Sequence, residues 1–157
     1  MNEFRLVCSI TKLNFLGWKK NPRIMLAFVL AFVFCVMMSA KAIMFARTYE
    51  TTMQIFEPFV WAFSGGKSIL LASFLLVFFF MDMPFLNEAT PYYLMRSGRK
   101  AWMGAQILYI VTVTFLYMFF VLVMFCILCA PLSFVGNMWS ETGALLGYSG
   151  VGEDIAL

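Results

Sequence analysis

Three apolar stretches dominate the chain, each bounded by charge, proline or glycine. Crossing a hydrocarbon layer as a helix takes about 20 apolar residues, because every backbone donor and acceptor must be satisfied within the segment. The first stretch, 24–44, is uncharged until Lys41, which lies close enough to its end to snorkel to a surface. The second has an uncharged core from Ser68 to Met81, only about 21 Å long as a helix. Extended to 62–81, with Lys67 snorkelling outward, it reaches a full span. The alternative is a break at Gly65 and Gly66, where a surface segment meets the helix. A span with an irregular end is the expectation. The third is uncharged from Ala101 to Pro131. It predicts a helix over 102–130 that tilts or projects beyond the lipid, anchored at its start by Trp102 and Tyr109 and ended by Pro131.

The segment 1–23 is patterned differently. At 100° per residue, Phe4, Val7, Ile10, Phe15 and Trp18 gather on one arc, while Arg5, Lys12 and Lys19 gather opposite. This predicts an amphipathic helix lying in a membrane interface. Arg5, Lys12, Lys19 and Lys20 then face the headgroups, and Trp18 and Trp102 sit at the same boundary. Asn21-Pro22 supplies the elbow into the first span. The fold expected is therefore all-α integral membrane, about three transmembrane helices preceded by an interfacial elbow helix.

Composition points the same way. The 157 residues are 63% hydrophobic and 12% charged, against roughly half and about a quarter in a soluble domain. A small soluble fold cannot hide that much apolar surface. No Lys/Arg tract is dense enough to suggest nucleic acid. Cys35, Cys126 and Cys129 lie inside apolar runs, which speaks against a secreted disulfide framework. No small-x-small cleavage site closely follows the run that begins near Ile24, so the first span is expected to stay in the mature chain.

Lysine and arginine set the expected orientation, since basic residues stay on the cytoplasmic side. Arg5, Lys12, Lys19, Lys20 and Arg23 precede the first span, and Arg96, Arg99 and Lys100 lie between the second and third. The other side receives Lys41, Arg47 and Lys67, then a tail carrying Glu141, Glu153 and Asp154 without Lys or Arg. The N-terminus is expected inside and the C-terminus, with the tail 131–157, outside.

The loop 82–100 carries the most chemistry. Asp82-Met83-Pro84 stops the second helix. Thr90-Pro91 reads as an N-cap with proline at the first helical position, and Gly98 as the residue just past a helix end. A short helix over 91–97 follows, displaying Tyr92, Tyr93, Leu94 and Met95 beside Arg96. These side chains lie on a bilayer or dock into a partner, aromatic, Met and Arg groups being enriched at interface centres.

In order along the chain come an amphipathic elbow, a first span, a second span closing on Phe80-Met81-Asp82-Met83-Pro84-Phe85, and a loop reading Leu94-Met95-Arg96-Ser97-Gly98-Arg99-Lys100-Ala101-Trp102 that runs into a long third span. This resembles the N-terminal half of a bacterial ABC-transporter permease of the export type. The resemblance implies a coupling helix in the 82–100 loop that seats in a cytoplasmic ATP-binding subunit, with Tyr92, Tyr93, Leu94, Met95, Arg96 and Arg99 as the contacts. It also implies residence in the bacterial cytoplasmic membrane and ATP hydrolysis on the separate subunit. Such permeases carry roughly twice the spans seen here, so it further implies a second permease subunit or a C-terminal half. A small membrane adaptor or sensor that recruits a cytoplasmic partner without transport is the competing expectation.

Other motifs carry less. Gly66-Lys67-Ser68 matches the end of a phosphate-binding loop, but Trp61 stands where the earlier glycine is needed and no strand precedes it. Cys126 and Cys129 form a C-x-x-C pair inside an apolar helix, with no histidine in the chain to complete a zinc site. Gly143 and Gly147 make a single G-x-x-x-G outside any apolar 20-mer, read as turn usage. Glu57 precedes the second span and reads as an acidic residue of an outer interfacial segment, or as one near a transport route. No general acid/base pair lies in the apolar cores, so no catalytic residue, cofactor or metal is expected.

Overall fold

The computed structural model describes residues 3–81, 90–136 and 138–144. The chain is mostly helical. Helix α1 spans Glu3–Leu16, followed by a 3₁₀ turn over Gly17–Lys20. Helix α2 spans Pro22–Thr48. Asn21 caps it: its side-chain oxygen accepts from the Arg23 N–H at 3.1 Å, and Pro22 occupies the first helical position, where no N–H is needed.

Helix α2 ends in a Schellman closure. The Thr51 N–H reaches the Ala46 carbonyl at 3.0 Å and the Glu50 N–H reaches that of Arg47 at 3.3 Å. Glu50 stands at the left-handed position, with φ 51°, where glycine is usual. A two-residue strand β1 (Met53–Gln54) and a short helix α3 (Glu57–Ala62) come next.

The expected second span, 62–81, is not one helix. Phe63 and Ser64 close α3 with N–H bonds to Val60 and Trp61, and the Ser64 hydroxyl donates to the Trp61 carbonyl at 2.8 Å. A new helix, α4, runs over Gly66–Phe78 and gives way to three-residue-spaced bonds over 79–81. Its 13 residues cover about 20 Å, against a hydrocarbon core of about 30 Å. The break falls at Gly65, where a helix has least to lose by stopping.

Helix α5 spans Thr90–Cys129, interrupted at Gly98 with φ 76° and ψ 153°. Pro131 sits in a short 3₁₀ turn at Ala130–Leu132, and strand β2 (Ser133–Phe134) pairs in parallel with β1, Met53 opposite Ser133 and Gln54 opposite Phe134. Two helices, α2 and the part of α5 from Gly98 onward, are long and apolar enough to cross a membrane.

The chain divides into two compact units, 1–27 with 76–117 and 28–75 with 118–157. In the first, α1 lies along the start of α5. Val7 stands beside Gly104, the Thr11 hydroxyl bonds the Ala105 carbonyl at 3.3 Å, and Phe15 and Trp18 pack on Tyr109 at 5.1 and 6.5 Å between ring centroids. In the second, Ala42 and Ala46 of α2 leave room for Met53 and Cys129, flanked by Ile43, Trp61 and Leu132.

The buried positions of α5 recur every four residues: Ala105, Tyr109, Val113, Tyr117, Val121, Phe125 and Cys129. Those of α2 fall on one stripe through Ala27, Ala31, Cys35, Met38, Ala42 and Ala46. The remaining faces are also apolar, and they are exposed: Val29, Val33 and Met37 on α2, Leu70 and Phe74 on α4, Phe115, Phe119 and Ile127 on α5. Only 39% and 28% of the apolar windows of α2 and α5 are buried, whereas a core helix of a soluble protein is mostly enclosed. A helix apolar on all sides with its outer face uncovered calls for an apolar surrounding.

Candidate functional site

The loop residues singled out by sequence lie at the start of α5. Tyr92, Tyr93, Leu94, Met95 and Arg96 are all in helical backbone, and their side chains lie outside the described residues. The helix they belong to stops at Gly98, whose backbone occupies a region that side-chain-bearing residues scarcely visit. A Cβ at Gly98 meets no atom within 4 Å, so the requirement for glycine is conformational and not steric. Arg99 and Lys100 follow it, both exposed, and Trp102 is half-buried. The expected stop of the second helix at 82–84 lies outside the described residues.

Of the expected interface residues, Arg5 and Lys12 are exposed on α1, and the side chains of Lys19 and Lys20 lie outside the described residues. Trp18 is half-buried. Its indole N–H donates to the Tyr109 hydroxyl at 2.8 Å, so its polar edge is committed to protein. Tyr109 is fully buried and does not anchor the third span at a surface. The reason is the docking of α1, which covers that side of α5. Cys126 is half-buried and Cys129 buried, both free thiols, in keeping with packing.

The second concentration of polar groups was not assembled by sequence reasoning. Glu57, at the start of α3, is fully buried. One carboxylate oxygen accepts from the Ser140 N–H at 2.7 Å; the other accepts from the Gln54 N–H at 3.1 Å and from the Ser140 hydroxyl. Ser140 in turn caps the short turn of helix over 141–144, its oxygen accepting from the Gly143 N–H at 3.0 Å. Gly143 is small for a reason, since a Cβ there lies 2.9 Å from the Glu57 carboxylate.

Around this clasp, the Thr142 hydroxyl bonds the Thr51 hydroxyl at 2.7 Å and the Thr52 carbonyl at 3.0 Å, the Gln54 side chain donates to the Gly136 carbonyl at 3.2 Å, and the Ile55 N–H reaches the Phe134 carbonyl at 3.2 Å. The segments leaving α2 and α5 are thus knitted into one cap.

A serine hydroxyl on a carboxylate is a pairing used in nucleophilic chemistry, but here Ser140 and Glu57 are both buried. The carboxylate is instead satisfied by three donors, which is what permits its burial. Among the described residues no group of three or more His, Cys, Asp or Glu side chains gathers to hold a metal.

No family model, curated protein or solved structure matches this chain. The functional reading therefore rests on the residues themselves.

Proposed function

We propose that the chain is the permease subunit, or permease half, of an ATP-driven exporter in a bacterial cytoplasmic membrane. Helices α2 and α5 cross the bilayer, α3, α4 and the turn after α4 together make the second crossing, and α1 lies at the inner face with Arg5 and Lys12 toward headgroups. The N-terminus and the helix over 90–97 face the cytoplasm. Tyr92, Tyr93, Leu94, Met95, Arg96 and Arg99 engage a separate ATP-binding subunit, and a second permease subunit or C-terminal half completes the pathway.

The observation that carries this reading is the break at Gly98, which joins a short helix to the long apolar one at an angle fixed by a glycine-only backbone. A helix so joined receives a push from a partner and passes it to α5. The outward apolar faces of α2, α4 and α5 and the one-sided distribution of Lys and Arg support the membrane placement. Closure of the ATPase acts through whatever differential contact it makes with the 90–97 helix in its open and closed states.

The test is purification of the tagged full chain from native membranes in mild detergent, identification of what accompanies it, and measurement of ATP turnover. An ATPase is expected, with turnover reduced in Tyr93→Ala, Arg96→Ala and Gly98→Ala. A partner retained with unchanged ATP turnover in all three variants makes the chain an adaptor or sensor, and the absence of any nucleotide-hydrolysing partner removes the proposal.

A further inference from the structure

The cap over the ends of α2 and α5 carries an apolar surface that the clasp explains. Val135 and Gly136 follow β2, which is pinned to β1, and Met138 and Trp139 precede Ser140, which is pinned to Glu57. Between the pins the Gly136 carbonyl is held by Gln54. Three large apolar side chains lie beside these pins: Val135 is 84%, Met138 77% and Trp139 72% exposed. Such exposure on a disordered tail means little. Here the backbone is hydrogen-bonded on both sides, at Gly136 and at Ser140.

We infer that Val135, Met138 and Trp139 form an interfacial anchor that inserts into the lipid leaflet around the Thr48 and Cys129 ends of α2 and α5, with Glu57 as the clasp that holds it in place. This rests on the membrane-spanning reading above and deepens it. The position is right for the headgroup boundary. Strand β2 follows within a few residues of the end of α5, and its partner β1 follows as closely on α2, so the loop stands where the apolar rods stop.

The chemistry is right as well. Trp prefers that boundary, its ring apolar and its N–H able to find a polar partner. No charged residue occurs between Lys100 and Glu141, and Glu141, exposed just beyond the loop, returns the chain to water. The size argues for lipid over a second protein: the three side chains expose on the order of 500 Å², short of the about 800 Å² per partner that a stable protein interface takes. Because Gly136 and Ser140 are already hydrogen-bonded to the cap, insertion of their neighbours costs less conformational entropy than ordering a free tail.

The experiment uses the full chain with Trp18, Trp61 and Trp102 changed to Phe, reconstituted into phosphatidylcholine vesicles containing lipids brominated near the headgroup or deep in the acyl chain. Trp139 emission is expected to shift to shorter wavelength, to lose most of its intensity to the shallow brominated lipid and less to the deep one, and to resist aqueous iodide. Glu57→Gln is expected to reverse this, lowering lipid quenching and raising iodide quenching.

Should the three replacements prevent folding, the wild-type chain labelled with fluorotryptophan gives the same readout. Its Trp139 fluorine signal, assigned through Trp139→Phe, is broadened by a lipid-borne or a water-borne paramagnetic agent. Quenching by iodide without quenching by lipid overturns the inference, as does shielding from both, which marks a protein covering. A Glu57→Gln chain with unaltered lipid quenching removes the clasp from it. A chain extracted from membranes by alkaline carbonate overturns the spanning reading itself, an outcome distinct from an integrated chain whose Trp139 faces water.

Discussion

Replacing Glu57 by Gln is the sharpest perturbation the structure offers, because it removes one acceptor while keeping the shape of the side chain. The carboxylate serves three donors with two oxygens: one takes the Ser140 N–H, the other the Gln54 N–H and the Ser140 hydroxyl. A carboxamide has one oxygen. Its NH₂ must face either the Ser140 N–H or the Gln54 N–H, donor against donor, so at least one of these backbone groups is left without an acceptor. An unsatisfied buried donor costs about 1–3 kcal/mol. The Ser140 hydroxyl rotates to accept from the amide and recovers part of that, which places the local loss at about 1–2 kcal/mol.

The cap opens locally without the long helices unfolding, so hydrogen exchange is the assay. Peptides covering 51–57 and 138–144 in detergent-solubilised protein are expected to exchange about tenfold faster, with the peptides of α2 and α5 unchanged. Ser140→Ala alone costs a similar amount, and the double variant costs less than the sum, because both act on the same bonds. Unaltered exchange at 138–144 in Glu57→Gln refutes the clasp.

Gly143→Ala places a methyl 2.9 Å from the same carboxylate and is expected to cost about 1–3 kcal/mol by overpacking, read by the same exchange. Glu50→Gly relieves the left-handed strain at the end of α2 and raises stability by about 1 kcal/mol, seen as a higher midpoint of thermal unfolding in detergent. Tyr109→Phe removes the hydrogen bond from the Trp18 indole and is expected to cost about 1 kcal/mol, with exchange rising in α1 before it rises in α2. Gly98→Ala forces the junction out of its glycine-only conformation at about 1–3 kcal/mol, and spin labels at 94 and 102 are expected to report an altered distance.

The first and third apolar stretches and the loop helix were legible in the sequence because each is local. A run such as 24–44 determines a long helix whatever surrounds it, Asn21-Pro22 determines where it starts, and Gly98 determines a stop that no other residue supplies as cheaply. The length of α4 was less legible. Gly65 announced a break, but whether apolar neighbours would carry the helix through it depended on how α3 closed, through the Ser64 and Trp61 bonds.

The polar cap belonged to tertiary structure alone. Glu57 and Ser140 are 83 positions apart, and nothing periodic links a lone acid before a proline to a serine in a short tail. Thr11 and Ala105 stand 94 positions apart, and Trp18 and its hydrogen-bond partner Tyr109 stand 91 apart. Hydrophobic period fixes which segments are helices because it acts within a few turns. Which polar groups meet is decided only when distant segments fold together, since a buried donor or acceptor takes whatever partner the packing brings within reach.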